Sequence, residues 1–205
     1  LGAAISGHAQ QGENAVVIEP SHVRIDDTTL TVQPLAVQLL DGRVTLNGHV
    51  DFTQTEDPSF KFAVNARGLK WGEGEARIQA DADLGVAGRK ADWAAIGTAD
   101  LARGQDKAKV DFDGRGDLEK VLLKTLKATT PAGGLQVTGQ VGWAPQLSWD
   151  VAATLQNFDP GYFAAGWKGA VTGQLSSKGA QRDPAAGKGT GFDAVSYTHL
   201  TLPTI

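Results

Sequence analysis

Apolar and polar residues alternate with a period of two along most of this chain, and no other feature limits its fold as strongly. Period two puts successive side chains on opposite faces of an extended strand. Val44, Leu46, Val50 and Phe52 share one parity, and Phe60, Phe62, Val64 and Ala66 continue it after the turn at Glu56-Asp57-Pro58. The same rule runs through Ile78, Ala80, Ala82, Leu84 and Val86, through Leu135, Val137, Val141 and Trp143, and through Leu147, Trp149, Val151, Ala153 and Leu155. Leu40-Asp41-Gly42-Arg43, Ala132-Gly133-Gly134 and Ala144-Pro145-Gln146 separate the runs as hairpin connections do. The 26 glycines fit many tight turns. A helical protein would not carry them, since each interior Gly costs a helix roughly 0.5–1 kcal/mol against Ala. The pattern predicts an all-β, elongated and curled antiparallel sheet built from repeated hairpins.

Two segments depart from this rule. In Leu118 to Lys127 helical spacing competes with strand spacing, and strand is preferred. In Asn157 to Trp167, Asp159-Pro160 has the form of a helix start, with Asp as N-cap and Pro in the first turn, which predicts one short helix near 159–165.

The chain also repeats itself at an offset of 91 residues. Leu35, Val44, Leu46, Gly48, Val50 and Phe52 align with Leu126, Leu135, Val137, Gly139, Val141 and Trp143. After a loop shorter by four residues, Phe62, Val64 and Ala66 then align with Trp149, Val151 and Ala153. This gives a repetitive β domain over 1–194, with units of roughly 1–95 and 96–190, each burying its apolar face against its neighbours.

Several functions are excluded by composition or missing motifs. Hydrophobic residues make up 41% of the chain and charged residues 20%, too apolar for a disordered tail. Net charge is −4 without a Lys/Arg cluster, so the electrostatic mark of nucleic-acid binding is missing. There is no Cys, which removes disulfides, thiolate metal sites and Cys nucleophiles together. His8, His22 and His49 lie apart with no metal-ligand spacing, so no metal or cofactor is expected. Asp26-Asp27, Asp81/Asp83 and Asp111/Asp113 alternate with apolar residues and read as the solvated face of strands, not as an acid/base pair. Gly187-Lys188-Gly189 imitates a phosphate loop but lacks the rest of that motif, and no nucleophile elbow is present. The chain is not expected to be an enzyme. It has no Met, not even at position 1, and no apolar run of the ~18 residues a membrane span needs, so it is expected to begin inside a longer product.

What remains is the apolar face. A one-sided sheet must bury it against a second layer or against a ligand. Curled upon itself, such a sheet makes a trough in which each CH₂ of a hydrocarbon tail gains about 0.8 kcal/mol. Candidate lining residues are Val44, Leu46, Val50, Phe62, Val64, Val137, Val141, Trp149 and Val151. On periodicity alone, a protein core closed on itself stands equally open.

Val195 to Ile205 lack charge and break from the preceding composition. They resemble translated sequencing-adaptor read-through at the ends of metagenomic reading frames. Residues 195–205 are therefore expected to be a non-native tail, with nothing functional at Tyr197 or His199.

The stretch from Pro145 to Phe163, followed by Gly166-Trp167-Lys168-Gly169 before an alternating strand, resembles the TamB family of bacterial envelope proteins and its AsmA-like relatives. Leu147, Trp149, Val151, Asp159, Pro160, Trp167 and Gly169 occupy that family's places, and the resemblance covers about half the chain. It implies a Gram-negative periplasmic β-groove of the "taco" type, tethered to the inner membrane by an absent N-terminal helix and meeting an outer-membrane barrel through absent C-terminal regions. It also implies outer-membrane assembly, or phospholipid transport in which acyl chains are the partner. An extracellular structural repeat, such as an adhesin stalk or autotransporter passenger, is the alternative; an uncleaved N-terminal membrane helix in the complete gene would favour the first.

Overall fold

The computed structural model describes residues 2–11, 14–74, 77–159, 161, 169–181 and 191–201. Among them are thirteen strands and no α-helix. The strands are β1 (Gly2–Gln11), β2 (Asn14–Ile25), β3 (Thr29–Leu39), β4 (Gly42–Asp51), β5 (Ser59–Trp71), β6 (Ile78–Arg89), β7 (Asp92–Arg103), β8 (Asp106–Gly116), β9 (Lys120–Thr129), β10 (Gly134–Gly142), β11 (Ser148–Phe158), β12 (Val171–Gln181) and β13 (Phe192–Thr201). The chain divides into two compact units, Leu1–Lys107 and Ala108–Ile205. In each, consecutive strands pair antiparallel in chain order, giving an open, curled meander and confirming the all-β expectation. Of the ambiguous segment Leu118 to Lys127, the residues from Lys120 on belong to strand β9. The helix expected near 159–165 falls almost wholly outside the described residues.

Bulges and glycines bend the strands, the usual source of sheet curvature. In unit 1, Gln33 and Pro34 of β3 stand against Asn47 alone, because Val32 pairs with Gly48 and Leu35 with Leu46. In unit 2, Lys124 and Thr125 of β9 stand against Thr138 alone, between Leu123–Gly139 and Leu126–Val137. Each of these residues lies 91 positions from its counterpart. A second bulge also recurs: Arg67-Gly68 of β5 stands against Asp81, and Gln156-Asn157 of β11, 89 positions on, against Thr172, 91 positions on. Its second residue has positive φ in both places, 66° at Gly68 and 47° at Asn157.

The hairpin registers correct the alignment made from sequence. Val50 pairs with Phe60 in β4–β5, and Val141 with Trp149 in β10–β11. The residue matching Trp149 is therefore Phe60 rather than Phe62, and the second loop is shorter by two residues, not four. A two-residue slip leaves every side chain on its original face, so alternation could not detect it.

Little of either unit is deeply buried. The buried apolar residues are mostly alanines, with Ala36, Ala66, Ala80 and Ala95 between 3% and 6% exposed. Ser21 is the one described side chain that is fully buried. It lies where Pro20 and Pro34 remove backbone donors from β2 and β3, and its hydroxyl accepts the Ala36 N–H at 3.2 Å while donating to the Glu19 carbonyl at 2.8 Å. Val195 to Thr201, expected to be foreign, form the outer part of β13 and pair with β12.

Candidate functional site: an apolar sheet face in each unit

Directly paired residues of antiparallel strands share a face. In unit 1 the rows Leu30–Val50–Phe60, Leu35–Leu46–Val64–Leu84 and Val37–Val44–Ala66–Ala82 put apolar side chains from β3 to β6 on one side. The row through Gly48, Phe62, Val86 and Ala95 extends it to β7. Val44, Leu46, Val50, Phe62 and Val64 therefore lie together, all half-buried. In unit 2, Val121–Val141–Trp149, Leu126–Val137–Ala153 and Gly139–Val151 do the same across β9 to β11. Val137, Val141, Trp149 and Val151 are also half-buried. Every candidate lining residue is on its unit's apolar face. Alternation supplied that grouping and also put Phe60 on it, though Phe60 was not among the expected lining residues; it missed most of the β3 and β9 contributors, which only pairing brings alongside.

Glycines let aromatic rings lie across this face. An added Cβ at Gly48 would strike the ring of Phe62 opposite it, and one at Gly179 would strike the indole of Trp149. The Trp149 Nε1–H donates to Ser177 Oγ at 3.0 Å, and the ring centroid sits 5.8 Å from that of Phe192. Phe60 and Phe62 have centroids 6.2 Å apart. Beyond Val151, Ser177 and Ser196 replace apolar residues in the row shared by β11, β12 and β13, whereas the Trp149 row continues through Gly179 and Ala194.

The opposite face is polar and paired. Arg67 donates to Asp83 at 2.7 Å and Asn65 donates to the same oxygen at 2.6 Å. The Asn65 hydrogen bond first, then the Arg67 guanidinium, hold the Asp83 carboxyl below its ordinary value. A general acid needs the reverse shift. Asp81 is occupied by the Gly68 N–H at 2.6 Å, and Asp113 by Lys124 at 3.6 Å. Among the described residues no three His, Cys, Asp or Glu side chains group as metal ligands. No helix there is long and apolar enough to cross a membrane.

One apolar feature interrupts the polar face of unit 1. Ile96 is 63% exposed opposite Gly85, in a shallow hollow bordered by Ala63, Ala87, Ala94, His49 and Lys61. Sequence alternation had assigned that face to solvent.

No match is found among the curated proteins or among the solved structures. The model of the family described as "TamB, N-terminal domain" matches residues 34–185, which run from the β3 bulge past the end of β12. With three quarters of its length so matched and its strands forming the hairpin sheet that the resemblance implied, the chain belongs to the TamB family.

Proposed function

We propose that this chain is a periplasmic segment of an envelope-spanning protein that serves outer-membrane assembly by conducting phospholipid between the inner and outer membranes along its apolar sheet face. One observation carries the reading: large apolar side chains on that face, including Leu46, Val64, Val137 and Val151, remain only half-buried. A core closed on itself would bury Leu, Val and Phe almost completely. Here six of the eight buried apolar residues are alanines, with Ile78 and Phe158 the exceptions among the described residues. An apolar strip left partly open suits acyl chains, which need no directed contact, while the paired charges of the other face keep it hydrated. Membership of the TamB family supports the envelope setting and an outer-membrane barrel as partner. The units expected over 1–95 and 96–190 fit the same reading, since each contains one four-strand module, β3 to β6 or β9 to β12.

Charge placed on either face tests it. Val141→Asp puts a carboxylate in the apolar strip, and Ile96→Asp puts one on the polar face at an exposed site. Phospholipid recovered with the purified chain should fall to background in Val141→Asp and stay at the unsubstituted level in Ile96→Asp. Circular dichroism verifies the fold, and Val141→Thr offers a gentler polar change if the Asp variant unfolds. Unchanged lipid in folded strip variants overturns the proposal.

A further inference from the structure

The row of side chains beside the Ile96 hollow differs between the two units in charge. In unit 1 it runs Thr31, His49, Lys61, Ala87 and Ala94 across β3 to β7. With the hairpin register corrected, His49, Lys61 and Ala87 match Gln140, Asp150 and Lys178 of unit 2. There the Lys178 ammonium lies 3.0 Å from the Asp150 carboxylate, an ion pair closed within the sheet. Unit 1 has a lysine where unit 2 has the aspartate, and an alanine where unit 2 has the lysine. Lys61 therefore faces an imidazole on one side and a methyl group on the other, with no carboxylate in its row. Acids of the two adjacent rows are engaged elsewhere. Asp51 accepts from the Thr53 N–H at 2.7 Å, Asp83 accepts from Asn65 and Arg67, and Asp92 faces Arg89 across the β6–β7 turn.

The hollow next to this cation is apolar and short. Ala63, Ala87 and Ala94 are exposed together with Ile96. A Cβ added at Gly85 would meet Ile96 Cγ1 at 4.0 Å, so the missing side chain leaves that flank of Ile96 uncovered; unit 2 carries Ser176 at the matching position. One exposed apolar side chain is ordinary on a protein surface, but a cluster of them beside a cation that the repeat elsewhere neutralises is not. Three strands ~4.8 Å apart make the patch about 10 Å wide, and two same-face residues make it about 7 Å long. Hydrocarbon of one membrane leaflet is about 15 Å thick, so an acyl chain would overrun the patch onto Asp83 or Arg89. A bulky side chain of a peptide fits. A second copy of this chain, meeting the patch by twofold symmetry, would bring two cationic surfaces together.

We infer that the hollow docks an extended acidic peptide segment of a partner protein, one bulky apolar side chain seated against Ile96 and Gly85 and a neighbouring carboxylate paired with Lys61. Charge complementarity selects this occupant, since Lys61 stands where unit 2 supplies both partners of an ion pair from its own strands. The site is on the face opposite the apolar strip, so it stands apart from lipid carriage.

NMR titration of the nitrogen-15-labelled, unsubstituted 205-residue chain with the peptide acetyl-Ser-Asp-Phe-Asp-Ser-amide tests it. Saturable shifts should appear at the amides of Ala63, Gly85, Ala87 and Ile96. Acetyl-Ser-Lys-Phe-Lys-Ser-amide and acetyl-Ser-Asp-Gly-Asp-Ser-amide should each bind about tenfold more weakly, equivalent to about 1.4 kcal/mol. Lys61→Glu should reverse the preference between the acidic and basic peptides, with circular dichroism verifying its fold; the comparison of three peptides needs no variant. Equal binding of the three, shifts confined to the apolar strip, or no saturable shift from the acidic peptide overturns the inference. So does an unreversed preference in folded Lys61→Glu. A dimer in sedimentation that Ile96→Asp dissolves would make a second copy the occupant and overturn it as well.

Discussion

The backbone N–H of Gly68 donates to the Asp81 carboxylate at 2.6 Å, from the second residue of a bulge on β5 to the residue facing that bulge on β6. In unit 2 the N–H of Asn157 donates to Thr172 Oγ1 at 3.0 Å in the corresponding place on β11 and β12. A bulge leaves one donor without its ladder partner, and a side-chain oxygen of the next strand supplies the acceptor. Asp81→Ala and Thr172→Val should each lower unfolding free energy by about 1 kcal/mol, the net worth of a typical hydrogen bond, in urea titrations. Asn157→Val should cost more than Asn157→Gly, because φ of 47° is closed to a β-branched residue.

Gly139 marks a close approach between strands. Its φ is 136°, and an added Cβ would run into the Asp150 carbonyl oxygen and come within 2.6 Å of Val151 Cα. Backbone atoms of a paired strand cannot swing aside, so Gly139→Ala should destabilise the chain by about 3 kcal/mol. Gly7→Ala, where a Cβ meets nothing within 4 Å, should be neutral or slightly stabilising. Thermal unfolding of the two variants side by side checks the contrast.

Ser21→Ala should cost about 1–3 kcal/mol, since the buried Ala36 N–H would lose its acceptor while a hydroxyl-sized gap offers no replacement. Hydrogen exchange at the Ala36 amide should quicken more than at amides of the neighbouring β3–β4 pairing. Equal exchange before and after the substitution would show that the hydroxyl is dispensable.

Acid should weaken the polar face. Hydrogen bonds from Gln38 and Arg43 hold the Glu19 carboxyl below its ordinary 4.5, a hydrogen bond from the Thr53 hydroxyl does the same for Asp51, and Asn65 with Arg67 does it for Asp83. A carboxyl whose pKa is depressed by folding contributes stability that is present above its unfolded pKa and lost as pH falls through the folded value. Stability should therefore be level from neutral pH down to about 5 and decline below about 4.5. Denaturation midpoints across that window should fall less steeply for Gln38→Ala/Arg43→Ala than for the unsubstituted chain.

Much of this architecture was legible in the residues. Alternation placed Val44, Leu46, Val50, Phe62 and Val64 on one face of their strands, and Val137, Val141, Trp149 and Val151 on one face of theirs, as the pairing shows. It also resolved the Leu118 segment toward strand. The bulges at Arg67-Gly68 and Gln156-Asn157 were not visible, because a bulge is defined by what stands across from it and Asp81 and Thr172 are on other strands. The same is true of Ser21, a polar residue whose burial depends on an acceptor role fifteen residues away in sequence.

By itself the sequence determined which side chains share a face, because a strand's period of two is a local property of the backbone. Only the tertiary structure decided the register, matching Trp149 with Phe60 in place of Phe62. The physical reason is that sliding one strand past another by two residues changes every cross-strand partner and no side chain's face, so the choice is made by hydrogen bonds between strands.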